Sequence, residues 1–442
     1  MLSDPICALA TAPGRAALAV VRLSGTGAGE IARRILGWPP DRLTTDRVAY
    51  LSAFRDSAGR QFDRGLATFF TAPASYTGED AVEFSCHGGL LAPAQLVSAL
   101  VAAGARQAAP GEFTRRAVLN GKLDLLGAEA VADLIDAQTA AQGRAALHQL
   151  EGGLSRRLSA LRTRLLDLIS LLSYEIDFPE EDDGPIDSRQ IREVLSQVRA
   201  SLRQLIDTAP LGARLREGAL VVFAGRPNVG KSSLFNALLG RMRALVAEAP
   251  GTTRDTIEAD GDLDGWPVRL ADTAGLRVSD DPIEQMGIEV SRRYLKVADL
   301  VLLCVEAGQT LDPDEESIAR WSKTLVVRTK VDFRSAPGTL AVSATTGWGL
   351  DRLRQAMIDR LFSDLARYGE DEPMLTRERH RIALVEAAAA LDEGDQFFAD
   401  GGDSVLAAHH VRRSISAVDE LIGAIDVEEV LGRVFSQFCV GK

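Results

Sequence analysis

The stretch that most constrains this chain is residues 219–239, ALVVFAGRPNVGKSSLFNALL. An apolar run with Val221, Val222 and Phe223 stops at Gly225. GRPNVGKS comes next, and Leu234, Leu238 and Leu239 then recur at helical spacing. This is G-x-x-x-x-G-K-S between a strand and a helix, the context that gives the pattern a physical meaning. Gly225 and Gly230 let the loop curl, so that successive backbone N–H groups point inward at a phosphate. The N-terminus of the next helix adds a partial positive charge. Lys231 is placed to reach the β- and γ-phosphates and Ser232 to ligate Mg²⁺. The bland alternative is a chance match in a chain with 39 glycines, and the two correct flanks argue against it. The stretch predicts a nucleoside-triphosphate site.

The residues downstream are consistent with such a site. VRLAD (268–272), DLVLLCV (299–305), TLVVRT (324–329) and LAVSA (340–344) read as strands. Helical patterns lie near 284–297, 314–322 and 349–362. Together they predict a parallel, doubly wound α/β domain over 214–366. Residues 256–270 read as a hairpin turning at Asp264-Gly265. In PGTTRD (250–255), Thr253 is placed to ligate Mg²⁺ and sense a γ-phosphate. In DTAG (272–275), Asp272 would hold Mg²⁺ through water, and the Gly275 N–H would meet the γ-phosphate. In TKVD (329–332), Asp332 would accept from the N1–H and 2-amino group of guanine, with Lys330 along the base. Ser343 and Ala344 would supply a backbone N–H to guanine O6. Each motif is short, but in this order behind a phosphate loop they indicate a GTPase.

Two departures matter. Thr329 stands where the base-reading motif usually has asparagine. That asparagine mainly braces the loop, so guanine selectivity is expected to survive. Leu276 comes directly after DTAG, where a glutamine can orient the attacking water. Leucine cannot do this, which leaves Asp280, Asp281 and Glu284 as downstream candidates. Arg254 and Arg277 are close in sequence, though neither is marked as an arginine finger. A cation could instead neutralise transition-state charge, with Asn228 as one ligand.

The remaining chain surrounds this domain. Residues 1–120 read as mixed α/β: RAALAVVRLSG (15–25), GLATFF (65–70) and AVEFSCHGG (81–89) as strands, LLAPAQLVSALVAAG (90–104) as a helix. His87 sits beside glycines, and a turn histidine is the simpler reading. Leu154, Leu158, Leu161, Leu165, Leu168 and Leu172 form one helical stripe. YEIDFPEEDDGP then packs six acids into 175–183 and reads as a solvated loop. Helical patterns return at 188–205 and over 374–438, where Ile415, Val418 and Ile422 share a stripe and Asp426 with Glu429 resembles a capping box. Helical segments thus flank the nucleotide domain, which reads as inserted into one helical domain (121–213 and 367–442).

Length and composition set the bounds. The 442 residues suit two or three domains. No apolar run approaches the roughly 20 residues of a membrane span, and MLSDPICALATAPGR lacks the pattern of a signal peptide. Four scattered cysteines (Cys7, Cys86, Cys304, Cys439) suit a reduced cytoplasm. A net charge of −12 means that any RNA must be held by a local patch, because the global field opposes it.

With these residues in view, the chain resembles the MnmE (TrmE) family of tRNA-modification GTPases from end to end. The most specific stretches are SYTGED (75–80), HGG (87–89), PGEFTRRAVLNGKLDLLGAEAVADLI (110–135), GRPNVGKSSLFNAL (225–238), PGTTRD, DTAGLR, IEQMGIE (283–289) and FCVGK (438–442). The resemblance implies a tetrahydrofolate-binding and dimerising N-terminal domain, with Arg22, Glu83, Lys122 and Lys442 as folate contacts. It implies nucleotide contacts at Asn228, Val229, Gly230, Lys231, Ser232 and Ser233. A second group is Ala247, Glu248, Ala249, Pro250, Gly251, Thr252 and Thr253. A third is Asp272, Thr273, Ala274 and Gly275, and the base side is Thr329, Lys330, Asp332, Ser343 and Ala344. K⁺ would be held by Asn228, the Ala247 and Ala249 carbonyls and Thr252 when two G domains meet, and Mg²⁺ by Ser232 and Thr253. The water-orienting glutamate falls on Glu284. Cys439 lies in a Cys–aliphatic–Gly–Lys motif and is counted as catalytic with Glu284, with its chemistry left open beside the reading as a buried helix-end thiol. Family members work with a flavoprotein, MnmG, which carries FAD and NADH. Together they place an aminomethyl-type group on C5 of the wobble uridine of certain tRNAs.

The sequence thus reads as a multidomain α/β plus all-α, K⁺-stimulated, homodimeric GTPase of tRNA modification in the cytoplasm. A ribosome-assembly switch GTPase is the alternative, disfavoured because the added parts are not basic. Glu284 yields the sharpest expectation. Glu284→Ala should leave GTP affinity nearly unchanged, since the residue would touch a water and not the nucleotide. It should lower kcat by about 10²–10⁴-fold, the range of a positioned acid–base group. Hydrolysis at the wild-type rate with K⁺ present would pass the role to Asp280 or Asp281.

Overall fold

The computed structural model describes residues 3–177, 188–244, 257–272, 293–332, 340–365, 372–399, 404–423 and 441. These fall into two compact units, one within Met1–Ala132 and Asp419–Lys442, the other within Asp133–Val418.

The first unit is built on a six-stranded sheet of order β3-β4-β5-β2-β1-β6. Its strands are β1 (Ile6–Leu9), β2 (Leu18–Ser24), β3 (Ala49–Arg55), β4 (Gln61–Phe70), β5 (Ala81–His87) and β6 (Arg106–Gln107). Alternation decides which face is buried. Ala19, Val21 and Leu23 of β2, Val82, Phe84 and Cys86 of β5, and Ala67 and Phe69 of β4 all enter one core. Helices α1 (Ala28–Leu36) and α2 (Leu91–Ala102) cover that face with Ile31, Ile35, Leu96 and Leu100. The sequence marked β2, β5, α2 and part of β4. It did not mark β1, only four residues long, nor α1, whose two ends are set by glycines in the left-handed region (Gly27 φ 81, Gly37 φ 65). Helices α3 (Glu112–Leu119) and α4 (Leu125–Asp136) come next. Gly441 lies against β1, where a Cβ would stand 2.1 Å from the Leu9 carbonyl oxygen.

The second unit combines long helices with a second six-stranded sheet. The helices are α5 (Ala140–Leu150), α6 (Gly153–Asp177), α7 (Ser188–Asp207) and α8 (Ala209–Glu217). The six leucines of the α6 stripe are each no more than 3% exposed. At about 2 kcal/mol per buried leucine, that stripe is what holds α6 in place. The sheet has the order β12-β11-β7-β10-β9-β8. Its strands are β7 (Ala219–Ala224), β8 (Arg243–Ala244), β9 (Ile257–Leu263), β10 (Trp266–Asp272), β11 (Leu300–Glu306) and β12 (Thr324–Thr329). β12, β11, β7 and β10 run parallel, and β9 and β8 add an antiparallel edge. β7 is buried at every residue because both faces of the sheet are covered. Val221 and Phe223 pack toward α9 (Lys231–Arg241), while Val222 and Ala224 pack toward Tyr294, Leu295 and α10 (Pro313–Ala319). The β9–β10 hairpin turns at Asp264 (φ 52) and Gly265 (φ 93), as the sequence predicts.

Two expectations are corrected. LAVSA is not a strand. Among the described residues it meets β12 through the Arg328–Ala341 bridge, and the Ser343 hydroxyl then accepts from the Thr346 N–H as the chain turns away. Helix α11 (Leu350–Phe362) comes after it, then α12 (Glu378–Ala399) and α13 (Ser404–Ile422). In α13, Val418 is buried but Ile415 and Ile422 are only half-buried; the buried line runs through Ala408, Val411 and Ser414 instead. The capping-box reading at Asp426 and Glu429, and the acidic loop from 178 on, lie outside the described residues.

Asp133, in the last turn of α4, joins the segments on either side of the sheet domain. It accepts from Arg216 Nε of α8 at 3.0 Å and from Arg377 Nη2 at 2.7 Å. Gln142 of α5 donates to the Arg216 carbonyl at 2.9 Å. Asp133→Ala should cost about 2 kcal/mol and lower the calorimetric midpoint of this unit by about 4–8 °C. Asp133→Asn keeps an acceptor and should lose about half as much. An unaltered midpoint in Asp133→Ala would mean that both arginines find equal partners elsewhere.

Candidate functional site

The nucleotide site forms along the C-terminal ends of the parallel strands, where open α/β sheets bind ligands. Gly225 leaves β7 at φ 127, and a Cβ there would fall 2.2 Å from the Cys304 carbonyl oxygen. Only glycine permits this approach. Asn228 (φ 63) and Gly230 (φ 98) complete the curl of the loop. Gly230 is the N-cap of α9, so the first-turn N–H groups of that helix open onto the loop. Lys231 is 7% exposed, and its ammonium donates to the Gly225 and Arg226 carbonyls at 2.7 Å each. Val229 is buried, whereas Asn228, Ser232 and Ser233 are exposed on the loop and first helical turn.

Asp272, 2% exposed, ends β10 beside Phe223 of β7. Cys304 lies in the floor of the site. Burial pushes its thiol up to about 12, with Lys231 opposing and Asp272 adding to the shift. It is inert as a nucleophile there. The exposed Ser232 hydroxyl and the Asp272 carboxylate are hard oxygen donors of the kind Mg²⁺ takes. Mg²⁺ held by these residues would supply charge neutralisation to the bound phosphates. Asn228, the one described residue of the four expected to hold K⁺, is exposed on the loop.

On the base side, the Thr329 hydroxyl donates to the Val229 carbonyl at 2.5 Å. The residue that replaces asparagine thus ties the base-side segment to the phosphate loop. Lys330 (φ 57) donates to Glu306 at 3.0 Å, and Asp332 is exposed in the turn after β12. Ser343 is buried, with its N–H donating to the Trp348 carbonyl at 2.9 Å, and Ala344 is half-buried. The structure therefore gathers residues 225–233, Asp272 and 329–332 on one edge of the sheet. Ala247, Glu248, Ala249, Pro250, Gly251, Thr252, Thr253, Thr273, Ala274, Gly275, Glu284, Cys439 and Lys442 lie outside the described residues, as do Arg254, Leu276, Arg277, Asp280 and Asp281.

A second polar cluster occupies the first unit. Arg22 and Glu83 are register partners on β2 and β5, joined at 2.8 and 3.0 Å. The Arg22 guanidinium lies over the rings of Tyr76 (5.0 Å) and Phe113 (5.6 Å). Lys122 donates to the Pro73 carbonyl at 3.1 Å. Arg22 and Lys122 thus meet the same 73–78 loop. Sequence reasoning missed Tyr76 and Phe113, although both lie inside the resembling stretches SYTGED and PGEFTRRA. His87 Nδ1 is 2.7 Å from the half-buried Asp63 carboxylate, a pairing across strands that no local spacing signals.

Comparison with known proteins bears on both clusters. A family model described as the MnmE helical domain matches residues 125–439, and one described as the GTP-binding protein TrmE N-terminus matches residues 5–122. Curated proteins named tRNA modification GTPase MnmE align end to end. That of Thermus thermophilus is 45% identical over 100% of both chains. Those of Bordetella parapertussis and Aquifex aeolicus are 42% and 38% identical, again over 100% of both chains. A helical-domain match across most of the chain, together with full-length relatives at these identities, establishes that this chain belongs to the MnmE family.

Proposed function

We propose that this protein hydrolyses GTP in the service of tRNA modification. The observation that carries the reading is the braced phosphate loop with Lys231 and Asp272 at the strand ends, in a chain that aligns with tRNA-modification GTPases over its whole length. The loop N–H groups and Lys231 bind the phosphates, Asp332 reads guanine, and Glu284 positions the water. Lys231 leaves the Gly225 and Arg226 carbonyls to meet the β- and γ-phosphates, exchanging two neutral acceptors for charged ones.

The finer reading rests on the resemblance. Residues 1–120 bind a tetrahydrofolate derivative and dimerise, 121–213 with 367–442 form the helical domain, and 214–366 form the GTPase domain. K⁺ stimulates hydrolysis. With MnmG, which brings FAD and NADH, the protein adds an aminomethyl-type group at C5 of the wobble uridine, using a one-carbon unit from the folate. The cytoplasm is the compartment for such chemistry. Among the described residues no helix is long and apolar enough to cross a membrane.

Nucleoside analysis of tRNA tests the function. Cells lacking the protein should lose C5-modified wobble uridines, and the wild-type gene should restore them while Lys231→Ala should not. Unchanged wobble uridines would overturn the proposal. A second experiment addresses the folate cluster. Gly441 already lies against Leu9, so removing residues 439–442 takes Lys442 and its neighbours from the first unit. Folate binding should weaken about tenfold or more, the loss of one charge-assisted contact, while GTP binding is retained. Unaltered folate affinity would remove Lys442 from the site.

A further inference from the structure

The second residue of the phosphate loop, Arg226, does not point at a phosphate. Its Nε donates to Asp312 Oδ2 at 2.9 Å, and its Nη2 donates to Glu315 Oε2 at 2.9 Å and to the Thr310 carbonyl at 3.1 Å. The two carboxylates are held in place before Arg226 reaches them, because they form the capping box of α10. Asp312 accepts from the Glu315 N–H at 2.8 Å, and Glu315 accepts from the Asp312 N–H at 3.1 Å. The Glu315 side chain is only 5% exposed, so the guanidinium is the charge that compensates it.

The segment that carries these acceptors also carries the base side. Glu306 pairs with Lys330, the Ala307 N–H donates to the Thr329 carbonyl at 2.9 Å, and Arg328 donates to the Gln309 carbonyl at 2.6 Å. Thr329 in turn bonds Val229. The contacts close a ring. It runs from Arg226 through residues 310–315, back along 306–309, across to 328–330, and returns to the phosphate loop at Val229. One end of the loop's exposed turn is thereby fixed to residues 310–315 and the other to Thr329, and residues 306–309 join those two segments.

We propose that Arg226 is a positioning residue of the nucleotide site: through Asp312, Glu315 and Thr310 it sets the phosphate loop against the base-reading segment. The proposal rests on the GTP reading given above. The planar guanidinium fork serves three acceptors at once, which a lysine ammonium at the same position would not match. Since the loop cradles phosphates common to GTP and GDP, the effect falls on ground-state and transition-state binding alike.

Steady-state hydrolysis and calorimetric titration of GTP and GDP on the full-length chain test this. Arg226→Gln should weaken GTP and GDP by a similar factor, about tenfold, and raise KM accordingly with kcat within about twofold of wild type. Arg226→Lys should fall between the two. Asp312→Asn should act in the same direction, and the double variant should lose less than the sum of the singles, because both break one ring. Wild-type KM and affinity in Arg226→Gln, with only a lower melting midpoint, would reduce the residue to a structural role and overturn the proposal. So would a fall in kcat at unchanged KM, which would place Arg226 in the transition state. Failure of the wild-type chain itself to bind GTP would defeat the nucleotide reading first, a result visible before any variant is made.

Discussion

The nucleotide site depends on one close approach. The phosphate loop leaves β7 over the end of β11 at a distance that admits no side chain, since a Cβ at Gly225 would overlap the Cys304 carbonyl. That contact lets the loop lie flat across the sheet, with Lys231 directed back into it and Cys304 buried beneath. A residue larger than glycine would lift the loop, and the N–H groups of the first α9 turn would no longer converge with it. The ring through Arg226, residues 306–315, Thr329 and Val229 then fixes the lateral position of the loop.

The sheet can meet such tolerances because its central strand is buried on both faces. β7 has neighbours on either side and a core above and below. Interiors of this density move little, so residues at the strand ends inherit a fixed spacing. The helical segments give the same unit a second anchor. Asp133 holds Arg216 and Arg377, one from the segment leading into the sheet domain and one from the segment returning from it. Ala141 N–H also meets the Gly265 carbonyl at the β9–β10 turn, and β10 runs from that turn to Asp272.

The first unit solves a different problem, that of burying charge. Arg116 is 1% exposed, and it is surrounded by Asp4, Glu79 and Glu112. Arg106 shares Asp4 and Glu112, and together they hold the Asp4 carboxyl below the ordinary aspartate range, Arg106 contributing most. A buried guanidinium charge is tolerated when carboxylates surround it in this way. The network locks α3 and the 75–79 loop against β1. That places Tyr76 and Phe113 beneath Arg22.

The sequence by itself determined what is local and repetitive. The phosphate loop, the Asp264-Gly265 hairpin, the leucine stripe of α6 and the parallel strands are written in spacing, because each depends on residues within a turn or two of one another. The family was legible too, since its motifs are contiguous. Tertiary structure decided the rest. Residues 340–344 have the composition of a strand, yet they pair with β12 only around Arg328, whose N–H and carbonyl bond Leu340 and Val342, before the Ser343 turn carries the chain away. Thr329 reads as a departure from the base motif, and in the structure it braces Val229, a contact across 100 positions. Arg226 carries no local signal of its role, because its partners lie 86 and 89 positions away. Such pairings arise from which strand ends are neighbours in the sheet. That order is a property of packing both faces of β7 and is carried by no short stretch of residues.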